Sequence, residues 1–319
     1  MDREHPERAL VVLTFDNDAF LATKDGGDTW STLGPGLKRT ELRHVYAAPT
    51  GWWTSLTNGG WSKYDETAHK WVRTGLYVSD AVASPATKVA PKGKNGVAGA
   101  KPAARKQAAP ALSAYLVNEM AFGSDTWYAA TAGGLLISRD RGATWKSAGK
   151  DPLIRKPAQS VDIASNGNQV WTVAERNLWY SDDKGATWEA RELSFAAAGN
   201  LKLHNVDDST LFMTTNMGLY ASRDAGRTWN RSEVRDLSFQ SVAGNGTMLV
   251  VSLQKHGLLG SFDGGKTWQR MDDPLTEGYF PVIGTRRDGT LVAVSATEGM
   301  LSLDKNARSA SSSPGTGLR

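Results

Sequence analysis

Five copies of one eight-residue phrase contain the residues of this chain whose types and spacing could do chemistry. Each copy reads Ser/Thr-x-Asp-x-Gly-x-Thr-Trp, so a carboxylate lies two residues after one hydroxyl and four residues before another. A carboxylate beside hydroxyls can act in acid–base catalysis. The same residue types also close turns, because Asp accepts bonds from backbone N–H groups and Gly adopts positive φ freely. We interpret the aspartates as structural. The Asp and Trp residues of the five copies are Asp25, Trp30, Asp140, Trp145, Asp183, Trp188, Asp224, Trp229, Asp263 and Trp268.

The elements around each phrase indicate β-structure. A short apolar run precedes each copy and an alternating run follows it, which is typical of a strand, a turn and a second strand. The last four tryptophans lie 43, 41 and 39 residues apart. A period near 40 residues with hairpin chemistry predicts the blades of a β-propeller.

The phrase resembles the Asp-box (BNR) repeat of sialidases, sortilin-type propellers, xyloglucanases and photosystem II assembly-factor propellers. The resemblance covers nearly the whole chain outside residues 82–110 and the tail. It implies a structural hairpin at the edge of each blade, away from any active centre. Because the repeat occurs in enzymes and in binding proteins alike, it does not select an activity.

The spacing of the aspartates also predicts the number of blades. Two incomplete copies, at Asp65 and Asp304, extend the period to seven repeats. We therefore expect an all-β fold, a seven-bladed β-propeller of four-stranded antiparallel blades forming one domain over residues 9–304. We letter the four strands of a blade A to D in chain order, from the inner strand A to the outer strand D. The first repeat lacks its strand A, and the last repeat lacks an apolar strand D. Six complete blades plus a partial one is accordingly the alternative.

Residues 82–110 interrupt the period with an insertion rich in Ala, Pro and Lys, which we expect to be disordered. Residues 305–319 are expected to form a flexible tail. Six of the 37 Lys and Arg residues lie in the insertion, so the rest of the chain carries slightly fewer basic residues than its 33 acidic ones. The basic pI therefore does not indicate nucleic-acid binding. The insertion joins strand D of blade two to strand A of blade three. It is either neutral or a tether for an acidic partner or an anionic membrane surface.

Catalytic and metal motifs are not found in the sequence. Sialidases of this family need an arginine triad, a Tyr/Glu nucleophile pair and a Phe/Tyr-Arg-Ile-Pro phrase before the first box, where this chain has only Arg3 and Arg8. The five histidines are scattered and do not have the spacing typical of metal ligands, and the chain contains no cysteine. The sequence thus predicts no catalytic residue, no metal and no cofactor.

The remaining candidates lie on the B–C loops, which share one face of a propeller with the D–A connections. The loop candidates for binding are Asp16, Asp18, Asn58, Glu175, Arg176, Asn216, Lys255, His256 and Glu298. The inner strands add Arg43, His44, Glu119, Asp162 and His204. This mixture of charges and amides suits a contact surface for a protein or a glycan better than one catalytic centre.

Two functions follow as hypotheses. The first is a non-enzymatic scaffold or assembly factor for a membrane-associated protein complex, acting as a monomer outside that complex. The alternative is a glycan-active protein, either a glycoside hydrolase or a lectin. The N-terminal sequence does not have the pattern of a signal peptide. We expect an extracytoplasmic location if a leader has been removed or the start of the chain is wrongly assigned, and the cytoplasm otherwise.

Overall fold

The structure is a computed structural model that describes most of the propeller. The described residues are 7–12, 20–74, 116–149, 156–164, 166–174, 176–195, 201–234, 239–244, 248–254, 257–271, 280, 282–285, 290–295, 299–303 and 310–312. The insertion at 82–110 lies outside them. Within these ranges the chain forms β-strands and one 3₁₀ turn, Arg39–Glu41, and no helix there is long and apolar enough to cross a membrane.

The strands form seven antiparallel sheets in chain order, which confirms the predicted all-β, seven-bladed β-propeller. Blade one contains β1 (Ala9–Val12), β2 (Phe20–Thr23) and β3 (Ser31–Leu33). Blade two contains β4 (Leu42–Ala48), β5 (Gly51–Leu56), β6 (Trp61–Asp65) and β7 (Lys70–Thr74). Blade three contains β8 (Val117–Phe122), β9 (Trp127–Thr131), β10 (Gly134–Ser138) and β11 (Lys146–Ser147). Blade four contains β12 (Ala158–Ile163), β13 (Val170–Ala174), β14 (Asn177–Ser181) and β15 (Glu189–Glu192).

The last three blades repeat the same order. Blade five contains β16 (Lys202–Asn205), β17 (Leu211–Thr215), β18 (Gly218–Ser222) and β19 (Asn230–Arg231). Blade six contains β20 (Phe239–Gly244), β21 (Leu249–Leu253), β22 (Leu258–Ser261) and β23 (Gln269–Arg270). Blade seven contains β24 (Val282–Thr285), β25 (Leu291–Ser295), β26 (Gly299–Leu303) and β27 (Ala310–Ser312). Strand A of each blade from two to six lies against strand A of the following blade.

The two terminal blades depart from the repeat in different ways. Among the described residues blade one has three strands, and β1 contacts β4 as a strand B does in later blades, in agreement with the expected missing strand A. Blade seven has four strands, because β27 pairs with β26 from Leu301↔Ser312 to Leu303↔Ala310. This corrects the expectation of a flexible tail at Ala310–Ser312. Backbone pairing makes the strand there, so the Ala-Ser-Ser sequence needs no apolar pattern.

Aromatic side chains fill the joints between neighbouring blades. The Trp53 ring of blade two meets Trp127 of blade three edge-on at 5.5 Å, and Trp61 meets Trp145 at 4.7 Å. Strand B is buried along its whole length in blades two to six, and strand C in blades one, three and six, because blades pack on both of their faces. Such near-continuous apolar strands are expected where a sheet has no solvent-facing side.

The five repeated phrases fold into nearly identical turns. In blade four the Ser181 hydroxyl donates to Asp183 Oδ1 at 2.8 Å and accepts the Gly185 N–H at 2.8 Å. The same carboxylate accepts the backbone N–H of Thr187 at 2.8 Å and its hydroxyl at 2.7 Å. The Trp188 indole N–H then donates to the Gly185 carbonyl at 3.2 Å. Each carboxylate is occupied within its own turn, which supports a structural role for it.

The position before the phrase glycine is left-handed in every copy. It is glycine at Gly26 and Gly264, but Arg141, Lys184 and Ala225 occupy it in the other three turns with φ of 55–57°. We expect Arg141→Gly to raise the free energy of unfolding by about 0.5–1 kcal/mol, because an exposed side chain at positive φ is strained. Urea denaturation measures the change. The reverse substitution, Gly26→Ala, should lower stability, and a stabilising Gly26→Ala would contradict the account.

Hydrogen bonds between loops fix which connections share a face. The turn formed by the repeated phrase of blade four, called here its box turn, contacts the A–B turn of the same blade, because Lys184 N donates to Asn168 O at 2.9 Å. In blade two the B–C loop instead contacts the D–A connection, because Thr57 N donates to Glu41 O at 2.8 Å. Box turns and A–B turns therefore lie on one face, called here the box face. The B–C loops and D–A connections lie on the other, called here the loop face.

Candidate functional site

The inner strands begin on the loop face with a repeated irregularity. In β4, β8, β12 and β20 the pairing with strand B skips the second residue of the strand. The skipped residues are all polar: Arg43, Asn118, Gln159 and Gln240. A β-bulge redirects the side chain of its extra residue. We call these four residues, together with Lys202, the channel mouth.

Lys202 joins this group through its register. Lys202 pairs with Thr214, which is the second-last residue of strand B in blade five. In the blades with a bulge the residue that pairs with this position of strand B is the one that directly follows the bulge: His44, Glu119, Ser160 and Ser241. Arg43, Gln159 and Lys202 are exposed, whereas Asn118 and Gln240 are half-buried. The channel mouth thus presents two cations and three amides.

Side chains of the inner strands also hydrogen-bond the backbone of the neighbouring blade. Asn118 Nδ2 donates to the Ala158 carbonyl at 2.7 Å, and Glu119 Oε2 accepts the Val161 N–H at 3.1 Å and the Ser160 hydroxyl. The Ser160 hydroxyl in turn accepts the Leu203 N–H at 2.9 Å. An inner strand has one edge without a partner strand, and such an edge leaves backbone groups that need partners. These side chains supply them.

The second carboxylate of the inner strands is bound in the same way. Asp162 Oδ2 accepts the Asn205 N–H of blade five at 2.7 Å, and its Oδ1 accepts the Ile163 N–H at 2.8 Å. The predicted candidates Glu119 and Asp162 therefore connect blade three to blade four and blade four to blade five. Sequence reasoning placed both residues on inner strands but missed their role in connecting blades. The polar residues near the start of strand A are the signal that could have indicated it.

The electrostatics of the site centre on Glu119. Burial raises the pKa of the Glu119 carboxyl from 4.5 to about 7, and nearby Lys202 and the bond from Ser160 offset only part of that rise. Burial also lowers the pKa of His44 to about 4, and the positive charges of Lys202 and Arg43 lower it further. His44 is therefore neutral near pH 7, whereas Glu119 changes its charge there.

The Glu119 carboxyl should make stability depend on pH. Between pH 4.5 and about 7 the folded protein keeps this proton while the unfolded chain has released it, so the free energy of unfolding falls as pH rises. We expect a loss on the order of 2–3 kcal/mol across this window. Glu119→Gln should flatten the slope, measured by urea denaturation at a series of pH values. Glu192→Gln removes an exposed carboxyl on β15 and should leave the slope unchanged. Equal slopes in the two variants would contradict the assignment of the pH dependence to Glu119.

The loop candidates are only partly described. Asn58, Arg176 and Asn216 are exposed on the B–C loops of blades two, four and five, in agreement with their expected position. The inner-strand candidates Arg43, His44, Glu119 and Asp162 are brought into one region of the channel, and His204 lies two residues after Lys202 with Nε2 3.4 Å from the Thr214 hydroxyl. Six loop candidates lie outside the described residues: Asp16, Asp18, Glu175, Lys255, His256 and Glu298.

A groove of about 500 Å³ opens elsewhere, on the box face between blades one and two. An ion pair crosses it, with Lys24 Nζ 3.0 Å from Glu66 Oε2, and the Arg8 guanidinium lies 4.6 Å from the Trp52 ring. These contacts connect the two blades. In the part of the chain that the structure describes, no three acidic or histidine side chains gather as a metal site would require.

Comparisons with known proteins support the propeller fold. A family model described as the DUF6242 beta propeller domain matches residues 154–299, which is less than half of the chain. A search of curated protein sequences finds no match.

Several solved structures resemble the chain. YCF48 from Cyanidioschyzon merolae is 15% identical, with 94% of this chain and 92% of that chain covered and a TM-score of 0.57. An ancestral GH74 enzyme is 14% identical, covering 88% of this chain and 38% of that chain at a TM-score of 0.59. The extracellular domain of a protein described as a hybrid two-component system from B. thetaiotaomicron is 14% identical, with 84% of this chain and 34% of that chain covered and a TM-score of 0.56. An enzyme, the extracellular domain of a two-component system and YCF48 thus share this fold, and the fold does not choose among functions.

Proposed function

We propose that this chain is an Asp-box propeller that binds a protein partner without catalysis and serves as a scaffold or accessory factor for a membrane-associated complex. One observation supports this most. The described carboxylates of the inner strands, Glu119 and Asp162, bond to the neighbouring blade, whereas Arg43, Gln159 and Lys202 at the channel mouth are exposed. Such a surface has groups for recognition but offers no unengaged carboxylate pair for acid–base work.

The Asp-box assignment is supported by the shared turn geometry. In the five turns the Asp side chain accepts both the backbone N–H and the hydroxyl of the phrase Thr, with the backbone bonds at 2.8–3.0 Å. The turns lie on the box face, so the loop face is the one left for a partner. Its B–C loops present Asn58 and Asn216, beside Met217 with 48% of its surface exposed.

The test compares the two faces directly. Affinity purification from the organism that carries the gene should be quantified for wild type, for a loop-face variant (Asn58→Arg with Asn216→Arg) and for a box-face variant (Ala143→Arg with Arg227→Glu). All four positions are exposed, so each pair changes a surface of similar accessibility. We expect the same specific partner with wild type and the box-face variant, and its loss with the loop-face variant. Loss with the box-face variant alone would contradict the proposal.

A glycan-active protein is the second candidate, and Glu119 is the observation that favours it. A carboxyl with a pKa of about 7 near the second carboxyl of Asp162 resembles the acid and base pair of glycosidases. Wild type and Glu119→Gln should be assayed on a panel of glycosides and on a glycan array. Hydrolysis that Glu119→Gln abolishes would establish this candidate, and absence of both hydrolysis and glycan binding would eliminate it.

A further inference from the structure

Two exposed cations of the channel mouth come from opposite parts of the ring. Arg43 belongs to blade two and Lys202 to blade five, and both influence His44 electrostatically. The Arg43 guanidinium donates to Asn118 Oδ1 at 2.7 Å through Nη2, which holds the side chain at the mouth. A guanidinium has five N–H donors, so this bond leaves donors for a ligand.

The amides around these cations add directed hydrogen-bonding groups. Asn118 is oriented by two bonds at once, since its Oδ1 accepts from Arg43 and its Nδ2 donates to Ala158 O. Gln159 is exposed at the equivalent bulge of the next blade. A guanidinium, an ammonium and amide N–H groups on one rim are donors suited to carboxylate oxygens.

We infer that the channel mouth binds carboxylate side chains of an acidic peptide segment in a protein partner, and that Glu119 competes with this ligand for Lys202. This inference rests on the proposed function, because it names the chemistry of the partner. An acidic peptide is chosen because the donors are spread over several blades and can engage successive carboxylates. Lys202 lies close enough to Glu119 to stabilise its ionised form.

The competition gives the site a pH dependence. The charged and titratable groups near Glu119 and His44 are Arg43 and Tyr46 on β4, Asp162 on β12 and Lys202 on β16, and His204 lies two residues after Lys202. Burial raises the pKa of Tyr46, and the pKa of His44 is about 4, so these two keep one charge state near neutrality. When Glu119 is protonated, the two cations face one inner carboxylate, Asp162. When it is ionised, the charges are balanced. Peptide binding should therefore weaken as pH rises through about 7.

The experiment uses a fluorescent peptide of alternating Glu and Gly residues, a matched peptide with Gln in place of Glu, and anisotropy measurements on the full chain. We expect preference for the Glu peptide, and binding about fivefold weaker in Lys202→Gln and in Arg43→Gln. Arg141→Gln, which removes an exposed cation from the box face, should have no effect. Equal affinity for the two peptides, or equal losses in Lys202→Gln and Arg141→Gln, would overturn the inference.

The role of Glu119 is tested in the same assay. Glu119→Gln should bind the Glu peptide at about pH 8 as tightly as wild type binds it at about pH 6, and should lose the pH dependence. A pH dependence that persists in Glu119→Gln would assign it to another group, such as His204, and reject the competition. Circular dichroism verifies that each variant is folded. If the peptides are not distinguished but the loop-face variant still loses its partner, the inference fails while the proposed function stands.

Discussion

Trp145→Ala is expected to lower the free energy of unfolding by about 3–5 kcal/mol. Trp145 ends the repeated phrase of blade three, is fully buried, and packs against Trp61 of blade two with the ring centroids 4.7 Å apart and the ring planes tilted by 47°. Its indole N–H also donates to the Gly142 carbonyl at 3.1 Å. Removing the side chain would leave a cavity in the joint between two blades, which the packed strands on either side cannot fill.

Urea denaturation measures this effect, and Trp188→Ala is the matched control. Trp188 occupies the same position of the phrase in blade four and makes the same bond, at 3.2 Å to Gly185 O, but its ring is only partly buried. We expect it to cost about 1–2 kcal/mol. Equal losses for the two variants would show that the turn, and not the joint between blades, determines the contribution of these tryptophans.

Arg191→Ala is expected to cost about 2–4 kcal/mol. Only 4% of the Arg191 side chain is exposed, and it pairs with Glu189 Oε2 at 2.7 Å. Its guanidinium lies 3.8 Å from the Tyr180 ring and donates through Nη1 to the Ala225 carbonyl in the box turn of blade five. The same carbonyl accepts the Trp171 indole N–H at 3.0 Å. Two blade-four side chains thus hold the blade-five turn in place.

Arg231→Ala is the control for this second variant. Arg231 lies on the outermost strand of blade five, is exposed, and donates to Met217 O at 2.6 Å within its own blade. We expect a cost of about 0.5 kcal/mol, as for other surface contacts. Arg191→Lys should be intermediate, because an ammonium keeps the charge but cannot make the planar, forked contact. If Arg191→Ala and Arg231→Ala had equal midpoints in thermal denaturation, the proposed joint would be wrong.

The repeated phrase made most of the fold predictable from the sequence. Its Asp, Gly and Trp residues mark a turn whose hydrogen bonds are local, so the spacing of the phrases translates directly into blades. Strand A of blades two to seven could be placed for the same reason. The fourth strand of blade seven was not predictable, because Ala310–Ser312 pair through the backbone and carry no apolar pattern.

The candidate site was harder to predict, because its contacts join blades rather than neighbours in the chain. Nothing local to Glu119 shows that its carboxyl meets Val161 N, and nothing local to Asp162 shows that it meets Asn205 N. The bulges at Arg43, Asn118, Gln159 and Gln240 depend on pairing register, which a single strand does not encode. Loop positions such as Asn58 and Asn216 were predictable, because hairpin order alone puts them on the loop face.

The most direct test of the central claim, that the loop face binds a protein partner, is site-specific photo-crosslinking. A photoreactive side chain would replace Asn216 on the loop face or Arg227 on the box face, both of which are exposed and belong to blade five. After irradiation in cells, crosslinked products would be identified by mass spectrometry. We expect one specific partner protein to be crosslinked through position 216 and none through position 227. The same partner crosslinked through position 227 alone would contradict the central claim.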